Sequence, residues 1–247
     1  MKLEKVVGLH TVESLLQKNP GQVERLYTKQ GRTDKRLQKI IAIAKQKNIP
    51  VEAVDVKTLD HNADGLRHQG VLAFCQRTAI KHENDLWQFL ESLNDPAFLL
   101  VLDGVTDPHN LGACLRTADA TGVQAVIIPK DKSVGLTSVV RKVASGAVET
   151  VPLFQVTNLA RTLDTLKDMG VWLTGTSDKA QQTLYEADLT GPVALIMGAE
   201  GKGLRRLTEQ RCDYLVTIPM SGSVTSLNVS VATGVCLYES LRQRNKY

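Results

Sequence analysis

From residue 98 onward the chain alternates short apolar runs with amphipathic stretches, and few folds accommodate that rhythm. Runs at 98–103, 124–128, 149–153, 171–175, 193–197 and 214–218 read as strands. Stretches at 110–121, 137–145, 158–168, 203–210 and 227–243 read as helices. Phe98-Leu-Leu-Val-Leu is apolar at every position, as in a buried strand. Repeated strand–helix alternation predicts an α/β fold with a mostly parallel sheet covered on both faces.

The first third has the same character on a smaller scale. Val6 to Leu9 is extended, Thr11 to Lys18 helical and Glu24 to Thr28 extended. Asp34 to Lys47 places Leu37, Ile40, Ile41 and Ala44 at helical spacing, and Val51–Val54 and Gly70–Cys75 read as strands. A polar, aperiodic stretch from Arg77 to Asp85 precedes a short helix over Leu86–Leu93, which Asn94-Asp95-Pro96 closes. The expected division is a small α/β domain over 1–76, a linker over 77–95 and a larger domain over 96–247. A chain of 247 residues suits one large core or two modest ones.

Hydrophobic residues at 43% and charged residues at 23% fit a globular protein, and no run reaches the apolar length of a membrane span. Met1-Lys-Leu-Glu-Lys lacks the apolar core of a signal peptide. Cys75, Cys114, Cys212 and Cys236 are scattered with no Cys-x-x-Cys pair, which predicts reduced thiols, no zinc site and a cytoplasmic protein. Charge is divided unevenly. Residues 1–81 hold 15 Lys+Arg against 8 Asp+Glu, whereas the rest hold 15 against 18. The basic N-terminal part fits a nucleic-acid-facing surface, or, on the blander reading, the solvated face of a helix. Aromatic residues at 4% argue against base-stacking platforms and for recognition by shape and phosphate.

Three segments concentrate unusual residue combinations at strand ends. Asp103-Gly-Val-Thr-Asp-Pro-His-Asn-Leu-Gly-Ala-Cys-Leu-Arg-Thr-Ala-Asp puts Asn110 at the mouth of a helix, with Arg116 further along it among small residues. Val193-Ala-Leu-Ile-Met-Gly-Ala-Glu-Gly-Lys-Gly-Leu lifts Glu200 on a glycine loop at the end of a buried strand. Ile218-Pro-Met-Ser-Gly-Ser-Val-Thr-Ser-Leu-Asn-Val continues into an apolar helix, for which Ser226 is the expected N-cap and Asn228 a first-turn residue. The glycines match neither a dinucleotide fingerprint nor a P-loop.

In this order the three segments resemble the signature motifs of the SpoU family of RNA ribose 2′-O-methyltransferases, over roughly residues 98–240. Val7-Gly8-Leu9-His10 and Gly65-Leu66-Arg67-His68-Gln69-Gly70 resemble the markers of a substrate-binding domain found in one branch of that family. The resemblance implies an L30e-like N-terminal domain and an α/β domain whose C-terminal segment is tied in a trefoil knot. It also implies a homodimer with S-adenosyl-L-methionine as cofactor, no metal, and a guanosine of 23S rRNA as substrate. A tRNA ribose, or a non-catalytic role in ribosome assembly, are the alternatives. Carried over motif by motif, Arg116 lies nearest the reacting hydroxyl, as a base or as an electrostatic clamp, with Asn110, Glu200, Ser226 and Asn228 around it. A guanidinium is protonated under nearly all conditions, so the clamp is physically easier. Gly198, Gly201, Ile218, Met220 and Leu227 are the implied cofactor contacts.

Overall fold

Hydrophobic periodicity accounts for most of the architecture in the computed structural model, which describes residues 3–76 and 80–245; the opening of the expected linker, 77–79, lies outside them. The chain divides into two compact units, residues 1–79 with 148–150, and residues 80–147 with 151–247.

The first unit runs β1 (Glu4–Val7), α1 (Leu9–Lys18), β2 (Val23–Lys29), α2 (Lys35–Gln46), β3 (Val51–Val54), α3 (Val56–Asn62) and β4 (Val71–Cys75). Its sheet has the order β1-β4-β2-β3, with β4 antiparallel to both neighbours and β2 parallel to β3. Alternation along β4 builds two cores. Val71, Ala73 and Cys75 join Leu15, Leu16, Leu37 and Ile40, whereas Leu72 and Phe74 join Leu59. Helix α3 has too few apolar residues for its period to show in the sequence. Asp55 starts it by accepting the Thr58 N–H at 2.7 Å.

The second unit runs β5 (Lys81–His82), α4 (Glu83–Glu91), β6 (Phe98–Asp103), α5 (Pro108–Ala120), β7 (Ala125–Pro129), α6 (Ser138–Ala144), β8 (Leu153–Val156), α7 (Leu159–Asp168) and β9 (Trp172–Thr176). Then come β10 (Gln182–Thr183), β11 (Val193–Gly198), α8 (Arg206–Glu209), β12 (Tyr214–Thr217) and α9 (Val229–Asn245). The eight strands take the order β10-β12-β9-β11-β6-β7-β8-β5, and every pairing among the described residues is parallel. One face packs Leu99, Val101, Ile127, Phe154 and Ile196 against Leu86 and Leu90 of α4 and Leu159, Leu163 and Leu166 of α7. Each such side chain contributes about 1.5–3 kcal/mol on burial. Helix α5 packs on α6 and α9, and α9 also contacts β11. Gly112 makes the α5–α6 approach possible, since a Cβ there would stand 2.7 Å from the Val143 Cβ.

Three expectations are corrected. The strand expected at 149–153 is Leu153–Val156, because Ala147–Glu149 winds into a 3-10 turn first. The helix expected at 203–210 is only Arg206–Glu209, because the residues before it close a tight loop. Helix α5 begins at Pro108 rather than residue 110, since Asp107 caps it and proline suits a first turn whose N–H groups have no intrahelical partner. Within the stretch expected as linker, β5 and α4 belong to the second unit.

Candidate active site

The carboxyl ends of β9, β11 and β12 open onto a cavity of about 470 Å³, the place where open parallel sheets hold ligands. Thr176, Met197, Gly198, Val216 and Thr217 line it from the strand ends, and Ile218, Met220, Ser226 and Leu227 from the segment leading to α9. Further walls are the loop Ala199–Leu204 and the segment Ser177–Lys179 that follows β9.

That loop is shaped by its glycines. Ala199 N–H donates to the Gly203 carbonyl at 3.1 Å and Gly203 N–H returns to the Ala199 carbonyl at 2.9 Å. Gly201 and Gly203 turn it with φ of 71° and 65°, conformations that cost other residues about 1–2 kcal/mol. Gly198 lies so close to the returning limb that a Cβ would sit 2.1 Å from the Gly203 carbonyl carbon. The limb is then tied to the sheet. Asp103, fully buried at the end of β6, accepts the Arg205 backbone N–H at 3.1 Å and also its Nε. Sequence reasoning passed over this pair, although a carboxylate closing an all-apolar strand was a visible signal.

Glu200, carried on the loop, meets two amides. Its Oε2 accepts from Asn110 Nδ2 and from Asn228 Nδ2, each at 3.3 Å, and Asn228 Nδ2 also reaches Asn110 Oδ1 at 3.0 Å. Asn110 stands where it does because the Asp107 carboxylate accepts its backbone N–H at 2.9 Å. The N-cap of α9 is Asn228, not Ser226. Asn228 Oδ1 accepts the Ser230 N–H at 2.9 Å and the Ser230 hydroxyl at 2.6 Å, and Ser226 is an exposed residue of the cavity wall.

The fold thus gathers Asn110, Glu200 and Asn228 into one hydrogen-bonded cluster, and Gly198, Gly201, Ile218, Met220, Ser226 and Leu227 around one cavity. It does not bring Arg116 to either. Six residues separate Arg116 from Asn110, about 9 Å along the helix axis. Arg116 is exposed, and among the described residues no ion pair holds it, including one to Asp119. Burial pushes the Cys114 thiol up to about 11 and those of Cys212 and Cys236 to about 12, so all three stay protonated and unreactive near neutrality. Among the described residues no group of three or more His, Cys, Asp or Glu could hold a metal ion.

An all-parallel sheet with a glycine-walled cavity at its strand ends, faced by a carboxylate held between two amides, defines an α/β protein with a small-molecule site. The chain belongs to the SpoU rRNA Methylase family, whose model matches residues 97–238, and residues 5–79 match the model described as RNA 2′-O ribose methyltransferase substrate binding. It is 57% identical over 243 residues to the 23S rRNA (guanosine-2′-O-)-methyltransferase RlmB of Shewanella oneidensis, covering 98% of each chain. Identity to the protein of the same name from Pseudomonas putida is 54% over 243 residues, again covering 98% of each. Among solved structures, the SpoU methyltransferase AviRb from Streptomyces viridochromogenes, in complex with the cofactor AdoMet, shares the fold with a TM-score of 0.80. It is 23% identical, over 100% of this chain and 92% of that one.

Proposed function

We propose that the protein transfers a methyl group from S-adenosyl-L-methionine to the ribose 2′-hydroxyl of a guanosine in 23S rRNA. The observation that carries this reading is the Asn110–Glu200–Asn228 cluster beside a glycine-walled cavity, in a chain similar along nearly its whole length to enzymes named for that reaction.

The cavity fits the cofactor. Its volume of about 470 Å³ lies within the usual small-molecule range. Gly198, Gly201 and Gly203 leave backbone groups uncovered, and Ile218, Met220 and Leu227 supply apolar walls. When bound, S-adenosyl-L-methionine supplies a methyl group on a positively charged sulfur, already activated for displacement. The chain holds the acceptor in line and favours loss of a weakly acidic proton. Asn110 and Asn228 fix one oxygen of Glu200, so the other is presented in a set direction to the nucleotide or to Arg116. Arg116 serves as the clamp, its permanently charged guanidinium stabilising negative charge as it develops on the ribose oxygen. Ser226 contacts substrate at the cavity rim.

The working form is a homodimer. Arg116 is exposed on α5, and α5 packs on α9, whose Val231 and Tyr238 are 52% and 54% exposed. A second copy over this face covers those side chains and brings Arg116 into an active site near the interface. The trefoil knot belongs to the same reading. From β11 the chain passes β9 to reach β12, then returns to α9 on β11, a path that supports threading. An rRNA substrate places the work in the cytoplasm.

The test is transfer of labelled methyl to unmodified 23S rRNA, with tRNA in parallel and alkaline hydrolysis as the readout. A 2′-O-methyl group blocks cleavage at its own nucleotide. Labelled, resistant guanosine dinucleotide from 23S rRNA alone is the expected result, whereas label in tRNA alone overturns the substrate. Absence of transfer to 23S rRNA, tRNA and assembling large subunits alike overturns the reaction.

A further inference from the structure

One carboxylate on the cavity wall takes no part in the Asn110–Glu200–Asn228 cluster. Glu209 is the last residue of α8 and, unlike the exposed Asp178 and Glu200 that share the lining, is half-buried. Four residues are too few to hold a helix by themselves, and this one is pinned from both sides. Asp103 fixes Arg205 just before it. Arg211, just after it, donates from Nη1 to the Leu207 carbonyl at 3.0 Å and from Nε to the Asp164 carboxylate at 3.1 Å. Glu209 Oε1 accepts from the Ser177 hydroxyl at 3.5 Å, and Ser177 is itself oriented, because its Oγ accepts the Lys179 N–H at 3.3 Å. Among the described residues the other carboxylate oxygen of Glu209 has no hydrogen bond or ion pair.

Strand order sets this carboxylate apart from the hydrogen-bonded cluster. β11 lies between β6 and β9, which are therefore two strand spacings apart, about 10 Å. The cluster draws Asn110 from the helix that follows β6, whereas Glu209 meets Ser177 at the end of β9. On the β9 and β12 side the cavity walls Val216, Ile218, Met220 and Leu227 are apolar. An apolar slot with a carboxylate at its edge suits a flat heterocycle that carries an amine: the walls cover the ring faces and the carboxylate accepts from the amine N–H. Apolar walls alone separate rings of similar shape poorly. A charged acceptor rejects a ring that offers it no donor, because the carboxylate is then left without a partner.

We propose that Glu209 determines specificity for the cofactor, its free carboxylate oxygen accepting a hydrogen bond from the 6-amino group of the adenine of S-adenosyl-L-methionine while Ser177 holds the other oxygen. This role rests on the methyltransferase reading above and names the part of the cofactor that the cavity reads. The apolar walls beside Glu209 select the base over the zwitterionic methionine arm, which needs charged or polar partners on every side. Because Ser177 and the pinned α8 hold the carboxylate before the cofactor arrives, little freedom is lost on binding.

The test is calorimetric titration of the full chain with S-adenosyl-L-homocysteine and with its analogue whose purine carries hydrogen in place of the 6-amino group. Neither ligand has a methyl group to transfer, so affinity is read apart from activity. In the wild type, loss of the amine should weaken binding by about 10–100-fold, the scale of a hydrogen bond to a charged group. In Glu209→Ala the same change of ligand should cost about twofold or less, because the amine has already lost its partner. Glu209→Gln keeps an uncharged acceptor and should fall between the two; it carries the comparison should Glu209→Ala not fold. Both variants should raise KM for S-adenosyl-L-methionine and leave kcat at saturating cofactor near wild type. An amine penalty as large in both variants as in wild type overturns the assignment and leaves the cofactor reading intact, even where Glu209→Ala weakens both ligands equally. Failure of the wild type to bind S-adenosyl-L-homocysteine at all would overturn the methyltransferase reading and this role with it.

Discussion

Asn228 uses both ends of its amide, which separates its structural and chemical contributions by substitution. Its Oδ1 caps α9 and its Nδ2 faces Glu200. Asn228→Asp keeps an acceptor for the Ser230 N–H but turns the other end into an oxygen opposite a carboxylate. The expected result is a near-native melting temperature with methyl transfer reduced by ~10–100-fold, the scale of one lost hydrogen bond to a charged group. Asn228→Ala should also lose the cap, worth about 1 kcal/mol, or about 2–4 °C in a protein of this size. Thermal melts beside turnover assays separate the two. Arg116→Ala should leave S-adenosyl-L-methionine affinity close to wild type in calorimetry while lowering turnover by about 100-fold or more. Near-wild-type turnover would remove Arg116 from the mechanism.

Helix α9, 17 residues long, is fastened at its far end as well as at its cap. Gln243 Nε2 donates to the Ala187 carbonyl at 3.0 Å, its Oε1 accepts the Leu189 N–H at 2.9 Å, and Arg244 Nη2 reaches the Ala97 carbonyl at 3.2 Å. Glu239 organises this end by accepting from Arg242 at 2.8 Å and from Gln243 at 2.8 Å. The hydrogen bond from Arg242, aided by that from Gln243, holds the Glu239 carboxyl below its ordinary value. Because the folded value is the lower one, the stability this adds is present above the unfolded carboxylate range and disappears as pH falls through the folded value. Melting temperature followed from pH 7 into the acid range should therefore fall less steeply in Glu239→Gln than in wild type. Identical profiles would show that Glu239 does not fasten the helix.

For the whole molecule, the exposed apolar stripe on α9 carries the prediction. Val231 and Tyr238 are seven residues apart and so share one face of the helix. Sedimentation should find twice the 27.0 kDa chain mass, and Val231→Arg with Tyr238→Arg should give a monomer that retains its fold by circular dichroism but has lost methyl transfer. A monomeric, fully active wild type would refute the shared site.

Strand runs such as Phe98–Leu102 and Val193–Met197 were legible because burial on both faces demands apolar residues at every position. Glycine loops and the polar types of the three motifs were legible for the same local reason: each is dictated by backbone conformation or chemistry within a few residues. The cap of α9 was not, since Ser226 and Asn228 are both good capping types and only the folded path of the chain selects Asn228. The cavity residues were also named from sequence, though through family resemblance rather than spacing. What the tertiary structure decided was long-range. Parallel pairing sets β12 beside β9 and β11 beside β6, and only that order puts Asn110, Glu200 and Asn228 within one hydrogen-bonded cluster. It also places buried Asp103 against Arg205, 102 residues away, and closes Gly198 onto Gly203 too tightly for a side chain. Local sequence specifies each strand and turn, but strand order is a property of the whole sheet, set by which apolar faces must be covered together.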